Sequence, residues 1–358
     1  IFDKALQMAD ANGFRQEFPQ SFIDTVERMI VFYMNISYPD YLNPCFSDSK
    51  KDNKQHVLAH YRNWTKMYPE NEQIRYFATE GKEGKLPANL SQGYLKSGFF
   101  TFRNGWKQNA TVMVVKAGPK GEWHCQPDNG TFELWFNGKN LFPDSGSYVY
   151  AGNDEVMKLR NWFRQTAVHN TLTLDNKNLE TTESVTKLWK PEGNVQILVT
   201  ENPGYKDLKH RRSIFFVDQQ YFVIVDEAIG TATGNINLHY QLCDGKVDIN
   251  PENLSLTSDF EGDSQVKLQC FADKGTVLKE EGWFSTAYRQ RTKRVALSFN
   301  TDKKDKEAVR FITVIYPAKD KKDFPDIKAR IKNADQEQKS MEIEVTINGS
   351  KQLLNYQL

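Results

Sequence analysis

The chain has no apolar run approaching the ~20 residues that a helix needs to cross a bilayer, which excludes a helical membrane span in this sequence. No secretory leader opens it either. It also lacks a charge excess. Lys and Arg total 47 against 46 Asp and Glu, leaving a net charge of +1. Nothing global draws in a polyanion, so nucleic acid is not an expected partner, and any anionic polymer must be gripped by a local patch. Only four cysteines occur (Cys45, Cys125, Cys243, Cys270), without a C-x-x-C pair or a dense framework, and they do not fix a redox compartment. No internal repeat is present.

What is present is length, aromatics and a change of period. At 358 residues the chain exceeds what one compact core usually holds, so two domains are expected. Aromatic residues make up 13 %, which suits a large β-domain and also suits stacking on sugars. The opening stretch IFDKALQMADANGF reads as the middle or end of an amphipathic helix, with Ile1, Ala5 and Met8 on one face and Gly13 as its stop. Further chain is therefore expected upstream of Ile1. Phe22, Val26, Met29, Ile30 and Tyr33 recur at helical spacing, with Ser21 as a candidate cap. Residues 47–54 read as a solvated polar loop, helices are expected over 54–66 and 70–79, and 81–87 has linker composition. From Leu90 the period becomes two. Short strands follow in series without intervening helices, among them 110–116, the hairpin 212–217/221–226, 236–242, 265–270, 294–299, 309–316 and 341–347. This predicts an α+β chain: a helical segment with linker over 1–88, then stacked antiparallel sheets over 89–358.

The densest chemistry lies between Trp123 and Asp175. His124 leads a short polar run into a strand. Alone it would be a structural histidine bonded to a turn; with polar groups clustered around it, it is equally a candidate acid, base or ligand. Gln126, Asp144 and His169 bring amide, carboxylate and imidazole from separate turns, and together could hold a cation. A hydrogen-bond network tying sheet ends together is the simpler alternative. Lys158, Arg160 and Arg164 crowd three cations into one stretch, suited to carboxylate or sulfate groups, or to a solvated loop or strand edge. Trp123 and Trp162 could stack on sugar rings or simply pack. Asp128 and Asn129 fit a turn, and Glu133 reads as an outward strand residue.

The segment HCQPDNGTFELWFNGKNLFPDSGSYVY, followed by FRQTAVHNTLTLDNKNL, resembles the signature of the heparinase II/III superfamily, nearest its heparinase III branch. KALQMADANG resembles the last helices of that group's helical domain, and His210–Ser213 through Ile224–Glu227 resembles its later sheet. The resemblance implies an incomplete α/α toroid followed by stacked antiparallel sheets. This chain would then hold only the toroid's last helices and the β-domain, the N-terminal toroid half lying in the rest of the same protein.

On that resemblance His124 is the catalytic histidine; Trp123, Lys158, Arg160 and Arg164 stay substrate-binding candidates on their charge and aromatic character. Gln126 stands where many relatives carry a metal-binding histidine, while Asp144 and His169 match the next ligands. The replacement of His by Gln disfavours zinc and admits a harder ion such as calcium, or no metal, with a structural role for the site either way. No organic cofactor is implied. The group's other catalytic residues, an Asn and a Tyr, belong to the toroid and are matched by no residue here, so the chain alone is expected to be inactive. The implied reaction is β-elimination at a uronic acid of heparan sulfate by a periplasmic or secreted bacterial enzyme. The competing readings are an alginate or other uronate lyase of the same architecture, a non-catalytic carbohydrate-binding β-domain, and a glycoside hydrolase using Asp128, Asp144 or Glu133.

Overall fold

The computed structural model describes residues 1–121, 124–180, 183–335 and 339–358. They divide into two compact units, Ile1–Pro44 with Lys51–Leu90, and Cys45–Lys50 with Ser91–Leu358. The six residues Cys45–Lys50 thus leave the span that reads as helical in sequence and pack with the second unit.

In the first unit, α1 (Phe2–Asn12) ends at Gly13, which adopts φ 73°, a left-handed conformation that glycine enters without strain. Its buried residues are Leu6 and Ala9, one position round from the face expected, and Ile1 and Met8 are exposed. α2 (Gln20–Ile36) buries Ile23, Val26, Ile30 and Met34; its N-cap is Pro19 rather than Ser21. α3 (Lys54–Met67) and α4 (Glu72–Ala78) start at Asn53 and Asn71, whose side chains accept from His56 N and Ile74 N. Tyr61 stacks on Phe77 and meets Trp64 edge-on, joining α3 to α4.

In the second unit the strands form antiparallel sheets. A five-stranded meander runs in chain order from Gln92–Tyr94 to Lys139–Asn140. An eight-stranded sheet has Val309–Ala318, Tyr221–Gly230 and Leu208–Val217 at its centre. A four-stranded sheet contains Gly234–Gln241 and Ala296–Lys303. One face of the large sheet, with Leu198, Ile214, Phe216, Phe222 and Ile224, shares a core with Phe100, Phe132 and Leu134 of the meander and Leu238 and Phe299 of the four-stranded sheet. Its other face, with Val199, Phe215, Val223 and Val225, packs on Met341, Ile343, Val345 and Leu354 of a three-stranded sheet. Burial on both faces explains why Ile214–Val217 and Phe222–Val225 are unbroken apolar runs instead of alternating ones.

The strand series is interrupted by α5 (Asp154–Phe163), a helix in place of the expected loop or strand edge. Asn153 caps Val156 N, and Val156, Arg160 and Phe163 recur at helical spacing on its inner side.

Candidate functional site

The site grows from the loop between strands Thr111–Lys116 and Thr131–Phe136, which carries His124, Gln126 and Asp128. Asn129 pins its base, accepting from Gly118 N (3.0 Å) and donating to Gly118 O (2.9 Å). Gly130, at φ 87°, then turns the chain into its strand. At the strand end the buried Lys116 donates to Asp128 Oδ1 (2.5 Å) and to Ser47 Oγ (2.6 Å). Burial pulls the Lys116 ammonium down, but the Asp128 carboxylate outweighs it and holds it above its ordinary value.

The returning segment Cys45–Lys50 is clamped onto this loop. Gln126 Nε2 donates to Ser47 O (2.8 Å), and Tyr150 OH donates to Asp48 O (2.8 Å). Asp48 is buried, and Arg160 Nη2 reaches both of its carboxylate oxygens at 3.0 and 3.3 Å. The Asp48 oxygen nearer to Arg160 also lies 3.0 Å from His124 Nδ1. A carboxylate only accepts, so Nδ1 carries the proton. Burial works to raise the Asp48 carboxyl, but its bonds to Arg160 and His124 prevail and hold it below the usual carboxylate range. The His124 side chain is 55 % exposed and meets Tyr150 edge-on at 5.9 Å. The result is an exposed imidazole anchored through one nitrogen to a buried, paired carboxylate.

Behind it, His169 Nδ1 contacts Asp144 Oδ2 at 2.8 Å, and Gly146 N donates to Asp144 Oδ1 at 3.0 Å. Gln126 Nε2 lies 3.4 Å from Gly146 O, so Gly146 links the three residues read as a cation site. Gln126 Oε1 and His169 Nε2 are buried without a hydrogen-bond partner among the described residues. Among those residues no three His, Cys, Asp or Glu side chains cluster around a possible metal position, so the Gln126 amide would have to complete any such set. Glu133 is buried, contrary to its outward reading, and accepts from Cys45 N, Asp144 N and Asn140 Nδ2. Burial, with the nearby Asp144 charge, pushes its carboxyl up to about 7. Asp128 is likewise buried and paired with Lys116. These carboxylates hold the loop together and do not face each other across an open cleft, as a glycosidase pair would.

The remaining expectations divide. Arg160 is not an exposed substrate contact: its guanidinium is buried against Asp48, Val149 O and the Tyr150 ring. Arg164 is half-buried and donates to Cys125 O (3.0 Å), bracing the loop from the end of α5. Lys158 is exposed and paired with Glu155 one turn away. Trp123 lies outside the described residues. The largest miss is Asp48, which sits in a stretch that reads as solvated and lies 76 positions from His124. Nothing in its local sequence marks it.

Two family descriptions match the chain: "Heparinase II/III-like, C-terminal" over residues 87–330 and "Heparinase II/III N-terminus" over residues 1–76. The chain belongs to the heparinase II/III family. A heparin-sulfate lyase of Bacteroides stercoris is 64 % identical over 359 residues, spanning 100 % of this chain and 54 % of the relative. A solved heparinase III superposes with a TM-score of 0.98 at 62 % identity, covering 100 % of this chain and 56 % of that one. A solved heparan sulfate lyase from Pedobacter heparinus gives a TM-score of 0.95 at 42 % identity, again covering 100 % and 56 %. The chain therefore spans about half the length of the curated relatives it matches. These heparinase III neighbours share its mixture of a few helices with many antiparallel strands.

Proposed function

We propose that the protein carrying this chain is a polysaccharide lyase that cleaves heparan sulfate by β-elimination at a uronic acid, with His124 moving a proton at the reacting sugar. One observation carries the reading: an exposed imidazole anchored at Nδ1 by the buried Asp48–Arg160 pair, in a chain of the heparinase II/III family. The C5 proton of a uronate is weakly acidic, and its removal requires that charge developing on the neighbouring carboxylate be neutralised. A base takes that proton and an acid protonates the departing C4 oxygen. His124 supplies one of these roles; the partner acid or base and the carboxylate-neutralising group come from the rest of the protein. A polymeric substrate places the reaction in the periplasm or outside the cell.

Gln126, Asp144 and His169 further support a single structural divalent cation, calcium or zinc, with Gln126 Oε1 and His169 Nε2 as its contacts and Asp144 orienting the imidazole through Nδ1. Two buried acceptors without donors are what such an ion, which accepts electron pairs, would satisfy. Its role would be to stiffen the loop that carries His124, and no proton-transfer step passes through it.

The test is His124→Ala in the whole protein. Formation of the ultraviolet-absorbing unsaturated product from heparan sulfate should be abolished while the melting temperature holds. Retained turnover removes His124 from the mechanism, and product from alginate instead of heparan sulfate reassigns the substrate.

A further inference from the structure

The hairpin of strands Trp283–Ala287 and Gln290–Lys293 turns through Tyr288 and Arg289, the latter at φ 58°. From Gly282 to Asn300 the sequence contains four basic residues (Arg289, Arg291, Lys293, Arg294) and no acidic one. Arg294 is buried and donates to Pro143 O and Val168 O. The other three are exposed and lie over aromatic faces: Arg291 at 4.2 Å and Lys293 at 5.5 Å from the Trp283 ring, and Arg289 at 5.7 Å from that of Tyr288. Lys50 joins them from the clamped segment, 4.5 Å from Tyr288 and 5.2 Å from Tyr150, the ring that His124 meets edge-on. None of these four exposed cations is ion-paired among the described residues, whereas Lys158, Lys321 and Arg330 each reach a carboxylate. The nearby Glu281 accepts from Trp283 Nε1.

The hairpin is also fixed in place. Ser285 N donates to Ser145 O (2.9 Å) and Arg289 N to Tyr148 O (3.0 Å). Gly146 passes so close that an added Cβ would lie 2.2 Å from Ser285 O. Gly146 is the residue that ties Asp144 to Gln126, so the hairpin and the His124 loop share one rigid mount. Two pairs of unneutralised cations, Lys50 with Arg289 at the Tyr288 ring and Arg291 with Lys293 at the Trp283 ring, repel within each pair until an anion joins them.

We propose that this hairpin, with Lys50 and Tyr150, is a subsite that grips the sulfate and carboxylate groups of a sulfated uronic-acid polymer next to the reacting sugar. The inference rests on the lyase reading for the identity of its polymer. Its test is the whole protein carrying Arg289→Ala, Arg291→Ala and Lys293→Ala together, with heparan sulfate oligosaccharides as the probe. Affinity by titration calorimetry should fall about 10-fold or more, and its dependence on salt should become shallower, because fewer counterions exchange on binding. KM should rise by a similar factor with kcat unchanged. Lys50→Ala alone, on a separate segment, should weaken binding in the same direction. Lys328→Ala with Lys332→Ala, which removes charge from a different sheet, should leave affinity unaltered. Unchanged affinity, KM and salt slope in the triple variant overturn the subsite, as does an equal loss in the Lys328/Lys332 control. Equally tight, hairpin-dependent binding of single-stranded DNA overturns its assignment to a sulfated glycan. A wild-type protein that binds the oligosaccharides through the hairpin but yields no unsaturated product sinks the lyase reading and leaves the subsite standing.

Discussion

Replacing Asp48 by Asn should both weaken the fold and disable His124, and the two effects can be separated. Asp48 is buried and holds three groups: the Arg160 guanidinium at 3.0 and 3.3 Å, His124 Nδ1 at 3.0 Å and the Gln126 amide at 3.5 Å. The last is at the limit of a hydrogen bond, and His124 is exposed enough for water to replace its partner, so the Arg160 contact dominates stability. Asn keeps the shape and one acceptor but removes the charge facing a buried cation. The expected loss is about 1.5–3 kcal/mol, the range for a bond to a charged group, against about 3–5 kcal/mol for Asp48→Ala, which leaves Arg160 wholly uncompensated. Arg160→Met should cost a comparable amount, because it strands Asp48. In urea unfolding, the double variant should therefore be less damaged than the sum of the singles, by about 0.5–3 kcal/mol. Turnover by whole Asp48→Asn protein should drop by at least about 10-fold, since the imidazole loses the carboxylate that fixes its tautomer and aim. Additivity within about 0.5 kcal/mol, together with unchanged kcat, would refute the anchoring argument.

Further outcomes follow from the same interior. Lys116→Met should destabilise the protein by about 3–5 kcal/mol, because Asp128 would stay buried and alone, and Lys116→Met with Asp128→Asn should recover much of that in the same urea assay. Burial holds His210 below its ordinary 6.5 despite its contact with Asp226. The unfolded chain then takes up this proton first, so this contribution to stability is full above about pH 6.5 and declines as pH falls towards the lower folded value. His210→Asn should flatten the fall in urea midpoint below pH 6.5, and an unaltered slope would contradict the assignment. If a cation sits among Gln126, Asp144 and His169, elemental analysis should find one equivalent. Chelation should then remove about 2.7 kcal/mol of stability for protein previously held at 100-fold the dissociation constant. Metal-free protein with an unchanged melting temperature excludes it.

Local physics alone marked much of the architecture. Gly13 stops a helix because it enters the left-handed region freely, and the helix expected over 54–66 is found as α3 at Lys54–Met67. The run Ile214–Val217, the turn at Asp218–Gln220 and the run Tyr221–Val225 specify a hairpin without knowledge of what covers it. The motif around His124 likewise carried the family, since it is continuous in sequence.

Tertiary structure alone decided what each charge does. Lys158 and Arg160 are two positions apart, yet the helical turn sends one into solvent beside Glu155 and the other inward to Asp48. Asp48 and Glu133 look like solvated carboxylates in one dimension, because burial and pairing are set by segments 76 and 88 positions away. A polar residue enters a core only when distant donors meet it there, and no local window contains those donors.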